Sequence, residues 1–372
     1  MNEYLQDALE KIDEQTFQKN LINWFEKEMR DLPWRLNKDP YRVWVSEIML
    51  QQTRVDTVIP YYQRFMEQFP TVEALANAPE EKVLKAWEGL GYYSRARNLQ
   101  SAVREVHEQY GGIVPDDPKE IAGLKGVGPY TAGAILSIAY GIPQPAVDGN
   151  VMRVLSRVLS IWDDIAKPSS RKIFEEAVRH LISKENPSYF NQALMELGAL
   201  VCTPTSPSCL LCPVQEHCLA FSEGIQRDLP VKTKKKSSRN IDLLTVIVQN
   251  QKGEWLVNQR PSQGLLAYLW EFPSLEQQEG VPQAQQIEEF LRTDFGVEAI
   301  VEPEAWFRQD HIFSHLTWKM TVFKANSVDG DVNTQDRAIW MNQDKIEEVA
   351  LPVSHRKIWK QYLHNERQER EI

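Results

Sequence analysis

Outside one stretch of 17 residues, the 372-residue chain contains no cysteine. The four thiols, Cys202, Cys209, Cys212 and Cys218, lie together on a helix exit and a proline-rich loop, which argues for one shared soft metal centre over two disulfides. The chain also lacks any apolar run approaching the ~20 residues that cross a bilayer, so no membrane partner is expected. Its first residues, Met1-Asn2-Glu3-Tyr4-Leu5-Gln6-Asp7, have neither the basic nor the apolar region of a signal peptide, and a cytoplasmic protein with reduced thiols is the expectation. Excess positive charge is missing as well, with a formal net charge of -10. That deficit is uneven. Residues 1–240 carry 29 Lys and Arg against 31 Asp and Glu, and residues 241–372 carry 13 against 21. A near-neutral first part can present a local basic face, but bulk charge gives no support for strong non-specific binding to nucleic acid.

A chain of this length exceeds one ordinary core, so two domains are expected. Residues 1–221 read as helical. Apolar residues recur at three and four in Leu21, Trp24, Phe25, in Val83, Leu84, Trp87, and in Val151, Val154, Leu155, Val158. Residues 222–240 lose that pattern and carry Lys232, Lys234, Lys235, Lys236 and Arg239, which reads as a basic, exposed linker with phosphate contact as its alternative. Residues 241–365 follow a different grammar. A β-rich run from Ile241 to Val248, a turn at Lys252-Gly253 and a second run at Trp255–Asn258 precede helical patterns at Gln285–Phe295 and Val353–His364, with a strand between them at Trp318–Ala325. This domain is α+β or α/β, and 366–372 is a tail. The fold class is multidomain: an all-α body followed by a mixed domain.

The cysteine spacing, Cys-x6-Cys-x2-Cys-x5-Cys, bears on the metal. Zinc is usually held by two short knuckles, and only Cys209 with Cys212 forms one. The set reads better as ligands of a [4Fe-4S] cluster, with zinc as the rival. Leu124-Lys125-Gly126-Val127-Gly128-Pro129-Tyr130 joins two helical stretches through a tight Gly-x-Gly turn, whose amides at the start of the next helix can face a phosphate. A plain interhelical turn is the simpler reading of a Gly-x-Gly alone. Asp148 precedes a helix, where an N-cap is the simpler reading and Asn150 competes for that role. Glu47, if helical, has Val43, Trp44, Leu50 and Gln51 as neighbours. Three of the four are apolar, so its pKa should be raised by desolvation, as suits a general acid, against the alternative of a surface glutamate.

These strings carry a resemblance. The hairpin and the cysteine loop resemble those of the endonuclease III helix-hairpin-helix superfamily. Leu32-Pro33-Trp34-Arg35, Ser46–Thr53, Gly89–Arg97 and Val147-Asp148-Gly149-Asn150 are similar to the adenine DNA glycosylase (MutY) family, across residues 1–365. The resemblance implies a [4Fe-4S] cofactor and removal of adenine mispaired with 8-oxoguanine or guanine in duplex DNA. It makes Glu47 the acid that protonates adenine, and Asp148 the carboxylate that stabilises the sugar cation, with or without a covalent adduct. Tyr130 and Asn150 support them. Trp34, Arg35 and Gln192 line the pocket of the extruded base, and Gln52 and Tyr92 wedge into the duplex. Thr53 and Leu90 approach the orphaned base, and Gly126, Val127 and Gly128 meet the backbone. Trp34 and Leu90 could equally be core. Bifunctional relatives place a nucleophilic lysine where Tyr130 stands, so a monofunctional glycosylase, acting as a monomer on the nucleoid, is implied.

In the second domain, Gly264-Leu265-Leu266-Ala267-Tyr268-Leu269-Trp270-Glu271-Phe272-Pro273 resembles the approach to a Nudix box, but no cluster of acids follows, which argues against Mg2+ catalysis. The resemblance makes this domain a lesion reader, with Phe313, Ser314 and His315 at the lesion; a core Phe313 and surface histidines are the simpler alternative. An endonuclease III-like lyase, a damage-binding protein without activity and a Nudix hydrolase are the rival readings.

Overall fold

The computed structural model describes residues 3–233, 239–329, 332 and 337–370. The chain divides into two compact units, one of Met1–Asn77 with Asn98–Lys235, the other of Ala78–Arg97 with Lys236–Ile372. Residues 78–97 therefore depart from the expected 1–221 domain. The reason is polar: Lys85 and Glu88 bond to Val349, Leu351 and Arg356 of the second unit.

Among the described residues the first unit is helical throughout. Its core packs Phe17, Leu21, Phe25, Val154, Leu155, Phe174, Phe190 and Leu197 from four helices. Local chemistry sets the starts of the helices that matter for the site. Pro40–Leu50 begins on Asp39, whose carboxylate accepts from the amides of Tyr41 (2.9 Å) and Arg42 (3.2 Å), with Pro40 at the first position where no amide is missed. Pro129–Ile138 also opens on a proline, Pro129, but its N-cap is Gly128 and no side chain caps it. It is buried nearly all round, and Gly133 is where the next segment crosses it: a Cβ there would stand 1.8 Å from the Pro145 carbonyl oxygen. Gly133→Ala should destabilise this unit by at least about 3 kcal/mol, since backbone must move to make room. A denaturation midpoint equal to that of the parent chain would refute this close approach.

The expected linker is shorter than its sequence suggests. Leu219–Ser222 is helical, Leu229 is buried, Arg157 Nε donates to the Leu229 carbonyl (2.9 Å), and the Ile165 amide donates to Val231 (3.0 Å). Residues 222–233 thus pack on the helical unit through backbone carbonyls that composition does not reveal. Lys234, Lys235 and Lys236 lie outside the described residues.

The second unit holds one eight-stranded sheet: β1 (Arg239–Gln249), β2 (Trp255–Gln259), β3 (Trp270–Glu271), β4 (Ser274–Glu276), β5 (Glu298–Val301), β6 (Phe307–Ile312), β7 (Leu316–Asp329) and β8 (Ala338–Met341). The order is β3-β2-β1-β7-β5, with β4 on β1, β6 on β7 and β8 on β2. Strands β1 and β7 run parallel from Arg239↔Leu316 to Gln249↔Asn326. Val246 and Val248 face one core with Ile287 and Leu291 of the Gln283–Phe295 helix, while Ile247 faces another with Ile358 and Trp359 of Val353–Arg370. Both faces being covered explains why β1 reads as a continuous apolar run. The closing helix runs on to Arg370, so 366–370 is helix and not tail.

Candidate active site

A cavity of about 640 Å³ opens in the helical unit, within the usual size of small-molecule sites. Glu47, Tyr130, Asp148 and Asn150 line it together, as do Trp34, Arg35 and Gln192, and Gln52, Thr53, Gly126 and Gly128. Residues from four separate strings thus meet at one place.

Glu47 sits on the Pro40–Leu50 helix, only 5% exposed. Burial pushes its carboxyl up to about 7, the Asp148 charge adds to the rise, and the Tyr130 hydroxyl and Arg35 oppose it. The Tyr130 hydroxyl donates to Glu47 Oε2 at 2.5 Å and touches Met195 Sδ at 3.7 Å. A phenol whose pKa is raised well above its usual value by burial can donate to that carboxylate and cannot be displaced as a base.

Asp148 both caps a helix and lines the cavity. It is the N-cap of Gly149–Val158, accepting from the Val151 amide at 2.7 Å, and its other oxygen accepts from Asn150 Nδ2 at 2.9 Å. Burial raises its pKa; the two donors pull the other way, and a helix N-terminus favours the anion. Asn150 is in turn held by Arg153, whose Nη2 donates to Asn150 Oδ1 (2.8 Å) and to the Gly198 carbonyl (2.8 Å). Gly198 is a glycine for space: a Cβ would stand 2.7 Å from that of Asn150.

A buried ion cluster forms the cavity's far wall. Glu196 accepts from Arg30 Nη2 at 2.8 Å and Arg35 Nη2 at 3.0 Å, and Arg35 Nε donates to Gln192 at 3.2 Å. Burial alone would raise the Glu196 carboxyl, yet the two guanidiniums override it and hold it at about 2. Trp34 is buried, edge-on to Tyr62 at 5.5 Å, and also lines the cavity, so core and pocket readings coincide. Sequence pattern does not point to Arg30, Arg153, Met195 or Glu196, which also border this site. One signal was available: Glu196 stands four residues after Gln192, on the same helical face.

At the hairpin, Gly126 has φ +79° and a Cβ there would also meet Asn98 at 2.8 Å, so glycine is needed twice over. Val127 is buried between the exposed Gly126 and Gly128 and anchors the turn, leaving only its backbone to face a ligand. Gln52 (φ +56°) and Tyr92 (φ +48°) are exposed non-glycine residues in the left-handed region, a strain that concentrates at functional sites. Leu90, in contrast, is 6% exposed and packs as a core residue.

Cys202, Cys209, Cys212 and Cys218 are free thiols lining one small apolar cavity of about 30 Å³. The buried Arg157 donates to Cys202 Sγ at 3.2 Å and to the carbonyls of Thr203 (2.8 Å) and Pro204 (3.0 Å). Arg153 Nε donates to the Cys202 carbonyl at 2.9 Å, which ties this loop to Asn150. Burial pushes Cys212 up to about 12 and Cys218 to about 11, so a soft cation is needed to draw thiolates from them. Among the described residues no three of His, Cys, Asp and Glu stand in the geometry of a single-ion site. Four soft donors spread round one cavity, beside a buried guanidinium that complements negative sulfur, fit a soft metal centre.

In the second unit β6 and β7 form a hairpin closed by the Phe313 amide on the Leu316 carbonyl (2.8 Å). Ser314 and His315 are exposed at its tip, whereas Phe313 is half-buried, 4.5 Å from the His311 ring and 4.8 Å from Trp318. Neither reading of Phe313 alone describes it.

Comparison with known proteins gives one family match to each unit, the first of them running through residues 78–97 as well. The family model of the HhH-GPD superfamily base excision DNA repair protein matches residues 45–180, and that of a NUDIX domain matches 244–361. A thermostable thymine-DNA glycosylase superposes with a TM-score of 0.51 at 28% identity, covering 56% of this chain and 97% of its own. The adenine DNA glycosylase of Rattus norvegicus is 35% identical over 94% of this chain and 78% of its own length, and that of Schizosaccharomyces pombe 35% over 92% and 88%. A helix-hairpin-helix body with an acid-lined cavity, joined to a Nudix-like domain, defines a DNA glycosylase of base excision repair. Within that class, the chain belongs to the adenine DNA glycosylase family.

Proposed function

We propose that this protein removes adenine from A:8-oxoguanine and A:G pairs in duplex DNA as a monofunctional glycosylase. The observation that carries the reading is a carboxyl held near neutrality, Glu47, sharing one cavity with a helix-capping carboxylate, Asp148. Adenine is a poor leaving group until protonated, so an acid that keeps its proton near pH 7 must work beside a base that does not. The adenine is first taken out of the stack, at a cost of a few kcal/mol, with Gln52 and Tyr92 filling the gap and Trp34, Arg35 and Gln192 contacting the extruded ring. Glu47 gives its proton to a ring nitrogen. The bond between C1′ and N9 breaks with its electron pair leaving on adenine. Asp148, steered by Asn150, stabilises the cationic sugar until water adds at C1′ and gives its proton to the Glu47 carboxylate, which Tyr130 holds in place. Tyr130 offers no amine, and no lysine lines the cavity among the described residues, which supports hydrolysis over a Schiff-base lyase.

The second unit supplies the reading of the opposite base through Ser314, His315 and the half-exposed Phe313. No carboxylate cluster for Mg2+ is present among its described residues. The four cysteines would hold a [4Fe-4S] cluster, which would supply order to residues 202–218 and no redox step in base removal. The protein acts as a monomer in the cytoplasm, on nucleoid DNA. Single-turnover incubation with A:8-oxoguanine, A:G and A:T duplexes tests the reading: adenine should be released from the first two, fastest from the first, with no borohydride-trapped adduct. Trapping of a protein–DNA adduct would favour the lyase; binding of the lesion duplex without release would favour a damage sensor. Anaerobically purified protein should contain iron and sulfide with visible absorption, and zinc alone would overturn the cluster assignment.

A further inference from the structure

We propose that Glu88 and Arg356 are positioning residues that fix the Tyr92 loop to the body carrying the 313–315 hairpin, so that wedging at the adenine depends on reading of the opposite base. This rests on the function proposed above, in which Tyr92 is a wedge.

Tyr92 is 44% exposed and lies in the left-handed region, flanked by Gly91 at φ +71° with Gly89 at φ +105° nearby. Such a loop keeps one shape only when its surroundings over-determine it. Trp87 Nε1 donates to the Gly91 carbonyl at 3.2 Å, Arg95 Nη2 donates to Gly91 at 3.1 Å and to Leu90 at 3.3 Å, and the Arg95 guanidinium lies 5.4 Å over the Tyr92 ring. These braces shape the loop internally. Its attachment runs through Glu88, beside the Tyr93 hydroxyl on the Leu351 carbonyl and Arg97 on the Ala267 carbonyl. That carboxylate accepts from the Leu351 amide at 2.8 Å and from Arg356 at 2.8 and 3.2 Å, and pairs with Lys85 at 3.1 Å. Arg356 also donates to the Val349 carbonyl at 3.0 Å, as Lys85 does at 2.9 Å, and pairs with Glu347 at 3.0 Å. These partners of Glu88, Arg356 and Lys85 lie within residues 347–356, at and just before the start of the Val353–Arg370 helix. That helix packs Ile358 and Trp359 into the core holding Trp318, against which Phe313 rests. A wedge encoded within the catalytic stretch of sequence is thereby mounted on the recognition unit, in agreement with the grouping of 78–97 with 236–372. Both charges are largely buried (16% and 12% exposed side chains), so the pair is a geometric joint and not a surface decoration.

The test uses the full chain in single-turnover adenine release from A:8-oxoguanine and A:G duplexes. Arg356→Gln should lower the rate on A:8-oxoguanine by about tenfold or more, a coupling of ordinary size, while the A:G rate changes far less. Tyr92→Ala should produce a similar loss, and the double variant should be no slower than the slower single one, because both act through the same wedge. The exchange Glu88→Arg with Arg356→Glu should restore part of the lesion preference. An equal fall on both duplexes, or additive losses with Tyr92→Ala, would reduce the pair to a structural staple and overturn the proposal. Should Arg356→Gln melt early by circular dichroism, Glu88→Gln, which still accepts from the Leu351 amide, decides by the same two criteria. A parent chain releasing adenine from neither duplex would refute the underlying function, a result visible before any variant is made.

Discussion

Asp148→Asn is expected to abolish adenine release while leaving the fold and lesion binding in place. The separation is possible because Asp148 does two jobs with different demands. As an N-cap it needs only an acceptor for the Val151 amide, and asparagine caps as well as aspartate. The neighbouring bond is less tolerant: Asn150 donates to Asp148 Oδ2 while its own oxygen is held by Arg153, so an amide at 148 meets a donor that cannot flip freely. One hydrogen bond lost costs about 1 kcal/mol, small against the stability of the unit. The chemical loss is of another order. A neutral amide cannot balance a sugar cation, and loss of a fixed charge aimed at a developing one costs at least about 10³-fold in rate. Single-turnover release, paired with gel-shift affinity for a lesion duplex, measures both sides. Turnover within tenfold of the parent would remove Asp148 from the mechanism; loss of binding in proportion would make it a structural cap alone. Asp148→Ala, lacking the cap, should in addition lower the melting temperature.

How far the site could be read from the chain depends on how local its parts are. The hairpin, the Asp148 cap and the cysteine loop are each set by residues within at most 17 positions, and each was legible as a string. Glu47 was legible for a different reason: three of its four helical neighbours are apolar, and a carboxylate on such a stripe has no water to face. Glu196, Arg30 and Arg35 were not readable as a cluster, because their charges meet only when the Pro187–Leu200 helix is laid beside residues 30–35. The same limit explains residues 222–233, whose anchorage uses backbone carbonyls, and residues 78–97, whose helical pattern says nothing of which core receives it. Phe313 marks the opposite case. It lies in the turn between β6 and β7, and its half-burial against Trp318 is a matter of side-chain packing that pattern alone cannot grade.

Glu47→Gln should slow adenine release by about 10² to 10⁴-fold, the span of general acid catalysis, and should also flatten its pH dependence. In the parent, burial sets the carboxyl at about 7, so the protonated, competent fraction falls as pH rises through neutrality. Glutamine keeps the acceptor for the Tyr130 hydroxyl but has no proton to give, and its residual rate should lose that alkaline limb. Stability should move the other way. A carboxyl whose pKa rises on folding from 4.5 to about 7 favours the folded state at low pH, and that contribution is lost as pH climbs between those values. Above the upper value the ionised, buried group destabilises the fold by about 3 kcal/mol at 1.36 kcal/mol per unit of pKa, a burden that glutamine does not carry. The variant should therefore unfold at higher denaturant than the parent at pH 8 and lose that advantage near pH 5. A variant equally stable at both pH values would show that Glu47 is not ionised against its surroundings, and the acid role would fall with it.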